Sequence, residues 1–224
     1  MSVPVTHAAL RSSKREFVAM LERMRFRLRG VMAVSLSCML LAGCIGRLVT
    51  SPPPNTYDLT GPAGVSTVRG KTGGPQILVP SPTALQILAG QRIVVAHGSL
   101  LAFYPNAQYP DTLPNVLQAR IIETFERSKL AHAAGRPGEG LSIDYQLLTD
   151  IRSFNIVVQN GGMEADVELS ARIMNDRTGR VVDFKVFRAA VPIAADTAPA
   201  AVAGLNTALD QVLIEMADWV LTRV

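Results

Sequence analysis

Few side chains in this 224-residue chain are of types that do chemistry, and most stand badly for it. His97 and His132 are separated by a long stretch with no acidic pattern beside either, and no spare thiol joins them, so zinc-ligand spacing is missing. Ser99 lies two residues after His97, but no Gly-x-Ser-x-Gly turn lifts it as a nucleophile. Glu164, Asp166 and Glu168 alternate along one segment, and a solvated strand face explains them better than paired catalytic carboxylates. No catalytic residue and no metal ligand is expected, and the chain is not expected to be an enzyme. Cys44 differs from all of these in its setting, directly after Leu41-Ala42-Gly43.

The elements that would position Cys44 lie just before it. Val31 to Ala42 is a short apolar run behind a basic stretch, and small residues precede the cysteine. Positive flank, brief apolar segment and small residues before a cut describe a secretory signal. Twelve apolar-leaning residues are too few for a membrane span, which needs roughly 20. Leu41-Ala42-Gly43-Cys44 resembles the lipobox of bacterial lipoproteins. That resemblance implies cleavage after Gly43 and acylation of Cys44, palmitate being one such chain. Beyond this covalent lipid no cofactor is expected. The reading divides the chain into a signal peptide over 1–43, a lipidated cysteine with a Pro-rich tether over 44–56, and a folded domain over 57–224. The leader is long, and a start at Met24 would still place Arg25, Arg27 and Arg29 ahead of the apolar run.

Removing the leader changes the charge. Residues 1–43 hold seven Lys/Arg and two Asp/Glu, so the totals of 22 and 18 fall to 15 basic and 16 acidic. The mature chain carries a net charge of −1 and no cluster of basic residues, which argues against a nucleic-acid partner. Of the two cysteines, Cys38 leaves with the leader and Cys44 is expected to be acylated. No internal disulfide then remains, and a core must supply the stability, which the remaining length allows.

Ser51 to Asn55 contains three consecutive prolines, favouring an extended polyproline II stand-off. At about 3.1 Å per residue the tether reaches roughly 35–40 Å. Tyr57 to Thr60 is expected to open the first strand, and the glycine-rich residues 61–75 to form a loop. Short strands are expected over Gln76 to Val79 and Gln91 to Ala96, the first at a sheet edge because Pro80 and Pro82 follow it. Leu100 to Pro110 is dense in aromatics and broken by proline. Phe103 there is expected in the core, and Tyr104 and Tyr109 as half-buried residues that are candidate partner contacts.

A first helix is expected from about Thr112 to Lys129, capped by Asp111 or Thr112, with Pro114 in its first turn. Leu113, Val116, Leu117, Ile121 and Phe125 form its buried stripe. Gly135 to Gly140 looks like a phosphate loop only superficially, since no Lys-Ser/Thr follows, and is expected to be a surface turn. Met163 to Ile173 alternates at period two; Leu141, Ile143, Tyr145 and Leu147 alternate similarly before a strand that continues irregularly to Val158, and a third strand is expected over Val181 to Pro192, with Asn160-Gly161 as a tight hairpin. In the last segment the apolar phase slips from Val182, Phe184 and Val186 to Phe187, Ala189 and Val191, which suggests a bulge. A second helix from about Pro199 to Leu221 carries Val202, Leu205, Leu209, Val212, Met216 and Trp219 on one face. The fold class expected is α+β: an antiparallel or mixed sheet with a three-stranded C-terminal meander, covered on one face by two amphipathic helices.

With these elements in order, the chain resembles the ABC-type transport auxiliary lipoproteins, including the lipoprotein component of Pqi-type systems. The stretches that carry the likeness are Gln91 to Val95, Tyr109 to Pro114, Asp144 to Leu147, Asn175 to Val181 and Ala201 to Leu209. It covers roughly residues 57 to 222 and departs at Ser128-Lys129-Leu130, where Ser-Gly and an aromatic are expected. The resemblance implies a periplasm-facing lipoprotein beside an ABC permease and ATPase and an MCE-domain protein, in systems moving lipids or other hydrophobic molecules between membranes. Ile45 rather than Asp after the lipidated cysteine implies the outer membrane. The role implied is a tethered docking module, held by lipid chains at about 0.8 kcal/mol per buried CH₂. The alternatives are a stand-alone lipid-binding carrier and a structural or regulatory outer-membrane lipoprotein; self-association is left open.

Overall fold

A computed structural model describes residues 53–62, 74–128 and 133–224. The leader, Cys44, most of the Pro-rich tether, much of the glycine-rich loop and His132 lie outside the described residues. Pro54–Val224 forms one compact unit. Its strands are β1 (Asn55–Thr56), β2 (Gln76–Leu78), β3 (Thr83–Ala84), β4 (Arg92–His97), β5 (Leu100–Gln108), β6 (Ala133–Gly135), β7 (Tyr145–Gln159), β8 (Gly162–Asn175) and β9 (Val181–Pro192). Its helices are α1 (Leu113–Ser128) and α2 (Ala198–Arg223).

The meander β7-β8-β9 is the frame. Asn160 and Gly161 take φ of +51° and +74°, so a two-residue turn closes Gln159 onto Gly162. That turn's twist matches the twist of the strands it joins. Between β8 and β9, the Asn175 side-chain oxygen accepts from the Thr178 N–H at 3.0 Å, and Gly179 adopts φ +64° to return the chain. The other edge of β7 is tiled. β2 pairs in parallel with its start, β3 with its middle and β4 with its end. β5 folds back antiparallel on β4, β1 adds in parallel to β5, and β6 adds in parallel to β2.

Thr197 caps α2, its hydroxyl accepting from the Ala200 N–H, and Pro199 falls in the first turn where a missing donor costs little. In α1 the Thr112 carbonyl accepts from the Val116 N–H, and Asp111 accepts from the Thr112 N–H at 2.6 Å. Ala165, Val167, Leu169, Ala171 and Ile173 are buried beneath Leu205, Leu209, Val212, Leu213 and Met216 of α2. At Gly204 a Cβ would stand 3.0 Å from Ile193, which marks where α2 comes closest to its surroundings. The fold is α+β, a mixed sheet with two helices packed on its core.

Several local expectations need correcting. The first strand is Asn55–Thr56, ahead of Tyr57. β2 is not an edge strand; it lies between β7 and β6. Leu100–Gln108 is a nine-residue strand despite Pro105. Its pairing jumps from Phe103 opposite Val94 to Gln108 opposite Arg92, so Pro105 sits in the irregular stretch and removes no ladder bond. The bulge expected within β9 near Val186 is absent: pairing runs unbroken from Asp183 to Pro192, and the shift falls at its start, beside Ile173 and Met174. The phase slip therefore means apolar residues on both faces of β9.

Candidate partner-binding surfaces

The residues after the tether are fastened to both helices. Arg120 of α1 donates to both Asp58 carboxylate oxygens at 3.2 and 3.0 Å and to Glu123 at 2.6 Å. Arg127, two turns on, donates to the Gly61 and Pro62 carbonyls at 3.0 and 3.1 Å. Asn206 of α2 accepts from the Thr60 N–H, and Leu59 between them is fully buried. The chain thus enters the domain through a clamp of charge-assisted bonds, the stronger class of hydrogen bond.

Tyr104 lies in a cleft of about 370 Å³ at the end of the sheet. The tips of the β4-β5 and β7-β8 hairpins and the approach to α2 form its walls. Val95, Ala102, Phe103, Val158 and Met163 line its apolar side, and His97 and Asp196 its polar side. The Tyr104 hydroxyl donates to Asp196 at 2.7 Å. Partial burial and that carboxylate, which favours the protonated phenol, push the Tyr104 pKa up to about 12. Tyr104 is half-buried and lines the cleft.

Tyr109 is not there. It is 1% exposed in the core, its ring edge-to-face with Phe154 at 6.1 Å. Its hydroxyl has no hydrogen-bond partner among the described residues, and burial pushes the phenol far above its ordinary range. The two tyrosines point apart because the irregular stretch at Pro105 and Asn106 (φ +52°) separates them. Tyr109 is thus fully buried, where a half-buried position was expected.

The third surface is the sheet face opposite α2. Its acidic run is not simply solvated. Asp166 is only 5% exposed, accepting from the Ser153 hydroxyl at 2.5 Å and from Arg188 at 2.8 Å. Arg152 and Arg188 both approach Glu168. Beside this polar patch, β9 displays Val182, Phe184 and Val186 at 45%, 49% and 36% exposure, with the Arg152 guanidinium 5.9 Å from the Phe184 ring. Their period-two spacing was visible in the sequence, on the phase opposite to the buried one. Among the described residues no group of three or more His, Cys, Asp or Glu could hold a metal ion. No described helix is long and apolar enough to cross a membrane.

Comparison with known proteins supplies an identity that no single side chain does. The family model described as the ABC-type transport auxiliary lipoprotein component matches residues 57–217. The uncharacterized protein bll6063 of Bradyrhizobium diazoefficiens is 32% identical over 169 residues, 75% of this chain and 45% of that protein. The chain thus spans less than half of that relative's length. Protein XCC0632 from Xanthomonas campestris, of family DUF330, shares 26% identity at a TM-score of 0.65, over 78% of this chain and 96% of its own. A further uncharacterized protein, 12% identical, has the same fold at a TM-score of 0.59, over 75% of this chain and 99% of its own. From Tyr57 to the last turns of α2, the chain belongs to the family of ABC-type transport auxiliary lipoprotein components.

Proposed function

We propose that this protein is the lipid-anchored accessory subunit of an MCE-type ABC transport system. In this reading it is a docking module that helps move lipids or other hydrophobic molecules between the two membranes. The family match over residues 57–217 carries the proposal, together with the Leu41-Ala42-Gly43-Cys44 motif ahead of it. Cys44 bears the lipid, Ile45 directs it to the outer membrane, and the domain faces the periplasm. The clamp at Asp58, Gly61 and Pro62 passes any pull from the tether into both helices. Tyr104 and the cleft around it are the proposed contact with the MCE-domain protein, since a half-buried tyrosine offers apolar area with a polar tip. No catalytic role is proposed for any residue.

Purification of the membrane-extracted protein should recover an MCE-domain protein or its permease and ATPase. Recovery of neither refutes the transport reading, and an intact leader or a free Cys44 thiol in the native protein's mass refutes the anchor. The stand-alone carrier reading draws on the apolar walls of the Tyr104 cleft. Native mass spectrometry separates it, because a carrier retains a bound acyl lipid without its partners.

A further inference from the structure

One end of the sheet is nearly free of charge. β4 runs parallel to β7 with Ala96 beside Val157, so the β4-β5 turn stands next to the β7-β8 turn. Ile193 donates to the Met163 carbonyl, which brings the link from β9 to α2 to the same end. No Asp, Glu, Lys or Arg occurs from Ile93 to Pro110, from Ser153 to Met163 or from Ala189 to Ala195. Glu164 and Asp196, which follow the last two stretches, accept hydrogen bonds from Gln159 and Tyr104. The opposite end carries Asp144, Asp176, Arg177 and Arg180. At the uncharged end Gly98 takes φ +60°, and a two-residue turn closes His97 onto Leu100. That tip displays Leu100 at 65% exposure and Leu101 at 47%. Exposed apolar side chains grouped on one surface mark a contact with a partner or a membrane.

The direction of chain entry decides what meets this tip. β1 pairs in parallel with the end of β5, Asn55 opposite Ala107, so the residues before Asn55 come from the side of Leu100. Leu100 stands seven residues before Ala107, at most about 23 Å along β5. Cys44 stands eleven residues before Asn55, a reach of about 34 Å. An acyl group on Cys44 can therefore enter a bilayer that touches the Leu100 tip, with about 10 Å of tether to spare. To bring the Asp176 end to the same bilayer, the tether would have to turn back along the domain. We propose that Leu100 and Leu101 enter the lipid bilayer beside the acylated Cys44, as a second contact that fixes the orientation of the domain. This rests on the anchor proposed above and not on the MCE contact. The acyl group already holds the tip at a high effective concentration, so two leucines suffice although they would bind a membrane weakly alone. Apolar side chains at such a surface sit about 5–10 Å into the boundary between headgroups and acyl chains. Tyr104 lies four residues further along β5, about 13 Å from Leu100, so its cleft stays open to a partner.

The native acylated protein, reconstituted into phosphatidylethanolamine–phosphatidylglycerol vesicles, tests the contact. Cys38 leaves with the leader and Cys44 is acylated, so a single introduced thiol can carry an environment-sensitive fluorophore. Labels at Leu100→Cys and Leu101→Cys, each in a chain that melts like the wild type, are expected to shift their emission to the blue. They should also be quenched about twofold by lipid spin-labelled near the top of its acyl chain. A label at Val181→Cys, exposed at the opposite end, is expected to do neither. Protein that floats with the vesicles while both tip labels stay in water overturns the proposal and leaves the anchor standing. A tip label that shifts without being quenched is covered by protein rather than lipid, which overturns it too, as does equal quenching at Val181→Cys. Protein that does not float with the vesicles refutes the anchor, and the tip contact with it.

Discussion

Replacing Tyr109 with phenylalanine removes one oxygen from the core, and the structure predicts that the protein gains stability. The ring is 1% exposed and packs edge-to-face on Phe154, contacts that phenylalanine keeps. The hydroxyl lost has no partner among the described residues. An unsatisfied buried polar group costs about 1–3 kcal/mol, and about 1 kcal/mol of gain is expected at neutral pH. In a domain of this size that raises Tm by about 2–4 °C. A second signature comes from titration. The folded phenol is raised by burial well above the ordinary value of 10.0, so its contribution is complete below pH 10 and declines as pH rises past it, where the unfolded tyrosine ionises first. Wild type should therefore fall behind Tyr109→Phe by about a further 1.4 kcal/mol for each pH unit above 10. Denaturant melts of both proteins at pH 7.5 and pH 11 measure the two effects together. Loss of 1 kcal/mol or more in the variant at pH 7.5, or a gap that does not widen at pH 11, refutes the reasoning.

Trp219→Ala removes the ring that meets Phe187 edge-to-face at 5.5 Å between α2 and β9, and should cost about 3–5 kcal/mol in a denaturant melt. Asp166→Ala removes the carboxylate shared by Ser153 and Arg188, leaving Ser153 with Asn155 and Arg188 with Glu168, and should cost about 1 kcal/mol by the same assay. Gly161→Val forces a β-branched side chain to φ +74° in the β7-β8 turn, and a loss of about 1–3 kcal/mol is expected with the fold retained by circular dichroism. Cys44→Ser should move the protein from the membrane to the soluble fraction on cell fractionation, while its thermal melt stays unchanged.

The long regular elements were legible because each repeats one period over many residues. Ala165 to Ile173 alternates cleanly, and Leu113 to Phe125 keeps helical spacing, so β8 and α1 lie where expected. What escaped depends on neighbours distant in the chain. Ala133-Ala134-Gly135 has no strand propensity of its own and is a strand because β2 offers it an edge. β2 was expected at an edge for the same reason in reverse, its second neighbour being unreadable locally. Tyr104 finds Asp196 across 92 residues of sequence. In β9 apolar residues occupy both phases, and a bulge and an exposed stripe produce the same string; only the unbroken pairing from Asp183 to Pro192 tells them apart.

The tiling of β7 dictates an order of assembly. β2, β3 and β4 all precede β7 in the chain, yet each needs it as a neighbour, and only the β4-β5 hairpin can close from local residues. Sheet pairing that spans long sequence separations is slow. A chain threaded out from its N-terminus therefore presents Ile77, Val79 and Ile93 to water until Tyr145–Gln159 arrives. Until then those apolar side chains lack the strand that covers them in the finished sheet.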